Sequence, residues 1–147
     1  MNSYGYTQQA TNLQFKQDKE NREIINSFKD HYTFSKVYFF FSEYSNDVRA
    51  KDFSSAFFLD ANLQIDTSIV LATSKFLTAE FGNIQRDQSG LGMYFGALRM
   101  MNAQFEQLRR PFPRYIRTFD SLPLFKRSTA KTVIKLNQKL HNYLIKD

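Results

Sequence analysis

Apolar residues recur at helical spacing near both ends of the chain and at strand spacing between them. Between residues 12 and 32, Leu13, Ile24, Ile25, Phe28 and Tyr32 fall in one helical sector, and Lys16, Asp18, Lys19, Glu20 and Arg22 are left for solvent. That spacing predicts an amphipathic helix. Residues 36–43 alternate instead, with Val37, Phe39 and Phe41 on one face and Tyr38 and Phe40 on the other. A strand apolar on both faces belongs in the middle of a covered sheet. Residues 45–51 fit a short helical turn. The runs 57–59 and 63–65, separated by Asp60, Ala61 and Asn62, read as a hairpin without the glycine of the tightest turns. In residues 67–74, Ile69, Val70 and Leu71 are too few to separate helix from strand.

Residues 76–84 carry Leu77, Ala79 and Phe81 in alternation with Phe76, Thr78 and Glu80, which predicts a half-buried strand that Gly82 bends. A polar turn follows over 85–90. From 91 to 108, Leu91, Tyr94, Phe95, Leu98, Met101, Phe105 and Leu108 recur every three or four residues, and a central helix is expected there. Gly92, Gly96, Met100 and Ala103 would share a second, small and uncharged face of that helix, suited to a neighbouring helix or a second subunit. Pro111 and Pro113 stop it and favour an extended stretch. After the short apolar run 122–125, a last helix is expected to start with Ser128 or Thr129 as its cap. The pattern as a whole predicts an α+β fold. A small, mostly antiparallel sheet on residues 36–43, 57–65 and 76–84 is packed with N-terminal, central and C-terminal helices. Residues 1–11, polar and without periodicity, are expected to be a mobile tail, and residues 12–147 a single domain.

Composition sharpens this picture in two places. Sixteen Phe and eight Tyr, with no Trp, make ring burial the dominant contribution to the core. The absence of cysteine excludes disulfides, a thiolate nucleophile and thiolate metal sites. The first twelve residues lack the charged start and apolar run of a secretory signal, and the apolar run 37–41 is far shorter than the ~20 residues of a membrane-spanning helix. A cytoplasmic protein with no membrane span is the expectation.

Charge changes the picture most. The chain carries a net charge of +6, yet ten of its twenty Lys and Arg residues lie in positions 108–147, opposed only by Asp120 and Asp147. Arg109, Arg110, Arg114, Arg117, Lys126 and Arg127 interleave there with Phe112, Tyr115, Phe119 and Phe125. On the last helix Lys131, Lys135 and Lys139 lie opposite an apolar stripe of Val133, Leu136, Leu140, Tyr143 and Leu144. Such a segment attracts an anionic partner. The first expectation is a non-catalytic subunit or adaptor that binds a protein with an acidic surface or forms a homo-oligomer. The alternative is nucleic-acid binding, with the cations on phosphates and Tyr115 or Phe112 stacking on bases.

Reactive chemistry has little support. Gly90, Gly92 and Gly96 miss the dinucleotide-binding spacing by one residue, and no Gly-Lys-Ser/Thr ends a nucleotide loop. Asp60, Asp66, Glu80 and Asp87 lie near expected strand ends, but the lysine that a metal-dependent nuclease places two positions after its strand glutamate is Gly82 here. His31 and His141 have no metal-ligating neighbour at helical spacing. No catalytic residue, metal or cofactor is expected.

Overall fold

The computed structural model describes residues 3–73, 75–85, 92 and 94–145, with side chains from residue 5 onward. Among the described residues there are three α-helices and one three-stranded antiparallel sheet, the α+β class that the pattern predicts. The sheet is a meander of β1 (Thr78–Gln85), β2 (Tyr94–Met101) and β3 (Tyr115–Arg117), with β2 in the middle. Its register aligns Phe81, Leu98 and Ile116 in one cross-strand row. That row packs against α3 (Thr129–Leu144) through Val133, Leu136 and Leu140, and Phe28 of α1 (Ser3–His31) joins the same cluster. Each fully buried Leu or Phe in such a cluster contributes about 1.5–3 kcal/mol.

The helices hold their places through local chemistry. Ser128 caps α3, its hydroxyl accepting from the Lys131 amide at 3.3 Å. The Asn137 carboxamide oxygen accepts from the Thr33 and Phe34 amides at 2.9 and 3.1 Å, which ties the exit of α1 to the middle of α3. A short helix, α2 (Ser45–Ala50), forms where a helical turn is predicted, and buries Val48.

Three expectations need correction. Residues 91–108 do not form a helix: β2 occupies 94–101, followed by a turn and an isolated bridge from Met101 to Gln107. The Asn102 side chain builds that turn, its oxygen accepting from the Gln104 and Glu106 amides at 2.9 and 3.0 Å. β2 buries Ala97 and Leu98, then Met100 and Met101, so both of its faces are covered and alternation disappears. A doubly buried strand and a helix read alike by spacing. Gly92, Gly96, Met100 and Ala103 therefore share no helical face. Gly92 is exposed with a positive φ of 66°, Met100 is in the core, and Ala103 is in the turn. Gly96 instead sits close to other side chains: a Cβ there would meet the Asp120 carboxylate and the Thr118 hydroxyl, and these would have to shift. Residues 86–91 and 93, including most of the expected turn 85–90, lie outside the described residues.

Residues 36–43, expected as the central strand, lie outside the sheet. Val37 and Phe39 pack on the main core, Phe41 on Ile25, Leu59 and Leu63, and Phe40 on the cluster of Val48, Phe57 and Phe58. Tyr38 and Phe40 pack on the Phe58 and Phe57 rings, but Tyr38 stays exposed, and the Leu59 amide donates to the Phe39 carbonyl at 2.9 Å. Helical structure also begins at Ser3, well before residue 12. The hairpin at 57–65 is present in reduced form: Leu59 bridges Ile65, and Asp60 accepts from the Asn62 and Gln64 amides at 2.7 and 2.9 Å.

Candidate functional site

The basic residues of the C-terminal segment separate into three structural settings. The first is the outward face of α3. Thr132, Val133, Leu136 and Leu140 are buried on its inner side, which leaves Lys131, Lys135 and Lys139 exposed one turn apart.

The second setting is the loop before β3. Met100 closes both ends of it, its carbonyl accepting from the Leu108 amide at 3.2 Å and its amide donating to the Arg114 carbonyl at 2.7 Å. Within the loop, Arg109 and Arg110 are exposed and Arg114 is half-buried. The Phe112 ring packs edge-on against Tyr143, centroids 5.2 Å apart, and so draws the loop onto α3. Arg110, Arg114, Tyr115, Lys139, Asn142 and Tyr143 line one cleft of about 600 Å³. Among the described residues no acidic side chain contributes to its wall.

The third setting is a stack of rings and guanidinium groups. Arg117 sits 4.5 Å from the centre of the Phe95 ring and 5.0 Å from that of Phe119, while Arg127 approaches Phe119 from 5.3 Å. Arg127 also donates to the Arg117 carbonyl. Tyr115 packs on Phe95 at 5.4 Å, with Arg114 5.5 Å above its own ring. Arg117 and Arg127 thus cover the sheet and its following turn, at roughly 0.5–2 kcal/mol for each cation–ring contact. Lys126 and Arg127 line a different cleft, which they share with Glu20, Glu23 and Asp120.

Among the described residues the only ion pair joins Arg99 to Glu80, on neighbouring strands. None of Arg109, Arg110, Arg114, Arg117, Lys126, Arg127, Lys131, Lys135 and Lys139 has a carboxylate partner there. Sequence reasoning gave Asn142 no role and left Tyr143 on the apolar stripe of the last helix. Asn142 and Tyr143 enter the cleft only because the loop folds onto α3. Leu122, Leu124 and Phe125 stand 49%, 95% and 69% exposed just before the cap of α3. Pro123, which interrupts this apolar run, is the signal that it cannot join a core strand.

The acidic residues weighed as a metal site have local roles. Asp60 shapes its turn, Glu80 pairs with Arg99, and Asp66 accepts from Ser68, whose hydroxyl and amide hold its carboxyl below the ordinary range. Asp87 lies outside the described residues. His141 contacts the Thr33 hydroxyl at 3.3 Å and packs on Phe34. Among the described residues no helix is long and apolar enough to cross a membrane. No family model, curated protein or solved structure matches this chain.

Proposed function

We propose that this chain is a non-catalytic interaction protein that docks the acidic surface of another protein on the outward face of α3 and the adjoining loop 109–114. The observation that carries this reading is the row Lys131, Lys135 and Lys139 beside Arg110 and Arg114, all without carboxylate partners among the described residues. Unneutralised charge on a regular helix face steers an oppositely charged partner and sets its orientation. Leu122, Leu124 and Phe125 supply the exposed apolar area that a protein interface buries.

Two features favour an acidic protein over the other partners. Tyr115 and Phe112, the two rings expected to stack on bases, are instead packed against Phe95 and Tyr143. A second copy of this chain would bring the same positive face against itself, at a repulsive cost.

Affinity purification from the native source, with and without nuclease, tests the proposal when run beside a variant carrying Lys131→Glu, Lys135→Glu and Lys139→Glu. A partner that survives nuclease and is lost with the variant is the expected result. Recovery that collapses on nuclease treatment assigns the face to nucleic acid instead. Recovery that ignores the substitutions removes the face from function altogether.

A further inference from the structure

The geometry points to the outer edge of β1 as a docking site for an extended segment of another protein, which adds to the sheet beside β1. The Met100 amide donates to the Arg114 carbonyl, and the Met100 and Gly96 carbonyls accept from the Leu108 and Thr118 amides. The even-numbered residues of β2 therefore turn their backbone groups away from β1, and its odd-numbered residues turn theirs toward it. The register sets those odd-numbered residues opposite Thr78, Glu80, Gly82 and Ile84. In an antiparallel ladder a bonded pair exchanges both of its hydrogen bonds, so Ala79, Phe81, Asn83 and Gln85 point their amides and carbonyls at the outer edge. Among the described residues no strand and no backbone hydrogen bond meets that edge. Ala79, Asn83 and Gln85 are exposed.

Sheet edges are ordinarily blunted by a short strand, a bulge, a proline or an exposed charge. β3, the opposite edge, has only three residues. β1 has eight, its register against β2 is unbroken, and it contains neither proline nor a basic residue. Its single charge, on Glu80, is drawn to Arg99 of β2. Amides and carbonyls that alternate at strand spacing are matched by another extended backbone. The two sides of the edge then set the side chains of that occupant. Ala79 and Phe81 line a groove with Ile24, Val37 and Phe39 on the core side, whereas Glu80 and Arg99 pair on the opposite side. A strand added here places every second side chain over apolar carbon and the others beside an ion pair, so its sequence alternates apolar and polar residues. A second copy of β1 fits less well. Paired antiparallel about Gly82, it would set the copy's Asn83 and Gln85 opposite Phe81 and Ala79.

Selection of random octapeptides on the full chain, followed by amide hydrogen exchange with an enriched peptide, tests this directly. Enriched peptides are expected to alternate apolar and polar residues. The bound peptide is expected to slow exchange of the Ala79, Phe81, Asn83 and Gln85 amides at least about tenfold. N-methylation of every second peptide residue, on the edge that faces β1, is expected to abolish binding, and N-methylation of the alternate set to preserve it. Asn83→Pro removes one outward amide and no bond to β2, and is expected to weaken binding at least about fivefold.

The assignment is overturned if no peptide is enriched, if the enriched peptide protects other amides instead, or if the two N-methylated peptides bind alike. Exchange at these four amides that slows with rising concentration of the chain alone gives the edge to a second copy, and overturns it equally. The inference goes beyond the docking reading and does not rest on it. Failure at the edge of β1 leaves the basic face of α3 standing, and failure of that face leaves the edge.

Discussion

At single positions, close approach and backbone conformation decide more than residue type does. Gly96 faces the hydrogen-bonded pair of Thr118 and Asp120, and a methyl group there would push the exposed Asp120 carboxylate aside. Gly96→Ala is therefore expected to destabilise the fold by about 0.5–1.5 kcal/mol in denaturant unfolding, the contribution of that hydrogen bond. Gly92, with nothing within reach of a Cβ, is expected to lose only about 1–2 kcal/mol on substitution by alanine, through its positive φ alone. Phe119 lies between Arg117 and Arg127, so Phe119→Leu is expected to cost about 1–2 kcal/mol by the same measurement. A sequence displays a glycine but not its opposing atoms. Gly92 and Gly96 look alike as small residues four positions apart, whereas one is an exposed backbone joint and the other a contact with a carboxylate fixed by a neighbouring segment.

At the level of elements, the amphipathic ends were legible and the middle was not. α3 announces itself by a Ser128 cap, a regular apolar stripe and lysines opposite it, all local signals. β2 does not, because coverage on both faces erases the period that distinguishes strand from helix, and its Leu98 and Met101 fit either spacing. Residues 36–43 show the converse. Their alternation implies two covered faces and a central place in the sheet, but Tyr38 stays exposed, and β1 and β3 take both edges of β2. The junction of α1 with α3 is the element-level contact most open to test. Asn137→Ala removes the acceptor for two backbone amides and is expected to destabilise by about 1–2 kcal/mol.

The loops that join these elements make a pH prediction of their own. Asp52 and Asp66 have their carboxyls lowered first by the Ser54 and Ser68 hydroxyls and then by the amides of the same serines. A lowered carboxyl stabilises the fold above its unfolded value of about 3.9, and that contribution disappears as the pH falls through the folded value. The double variant Ser54→Ala and Ser68→Ala is thus expected to lose less thermal stability than the parent on acidification from about pH 5 to about pH 3. An identical acid profile for the two proteins would contradict it.

Over the whole molecule, the excess of charge was legible and its arrangement was not. Counting residues places a strong positive bias in the last forty positions. Only the fold divides those cations into an α3 face, a cleft beside loop 109–114 and a structural stack, since that division depends on Phe112 meeting Tyr143 and on Met100 closing a loop. Arg117 and Arg127 are thereby assigned to holding the sheet together. The proposed docking surface narrows to Arg109, Arg110, Arg114 and the three lysines of α3. The most direct measurement is the association rate of the nuclease-resistant partner as a function of ionic strength, for the parent chain and for the α3 triple charge reversal. The rate should fall at least about tenfold between low and physiological salt, with the reversed variant slow throughout. A rate that is flat with salt, or equal in the two proteins, would contradict a basic face as the means of recognition.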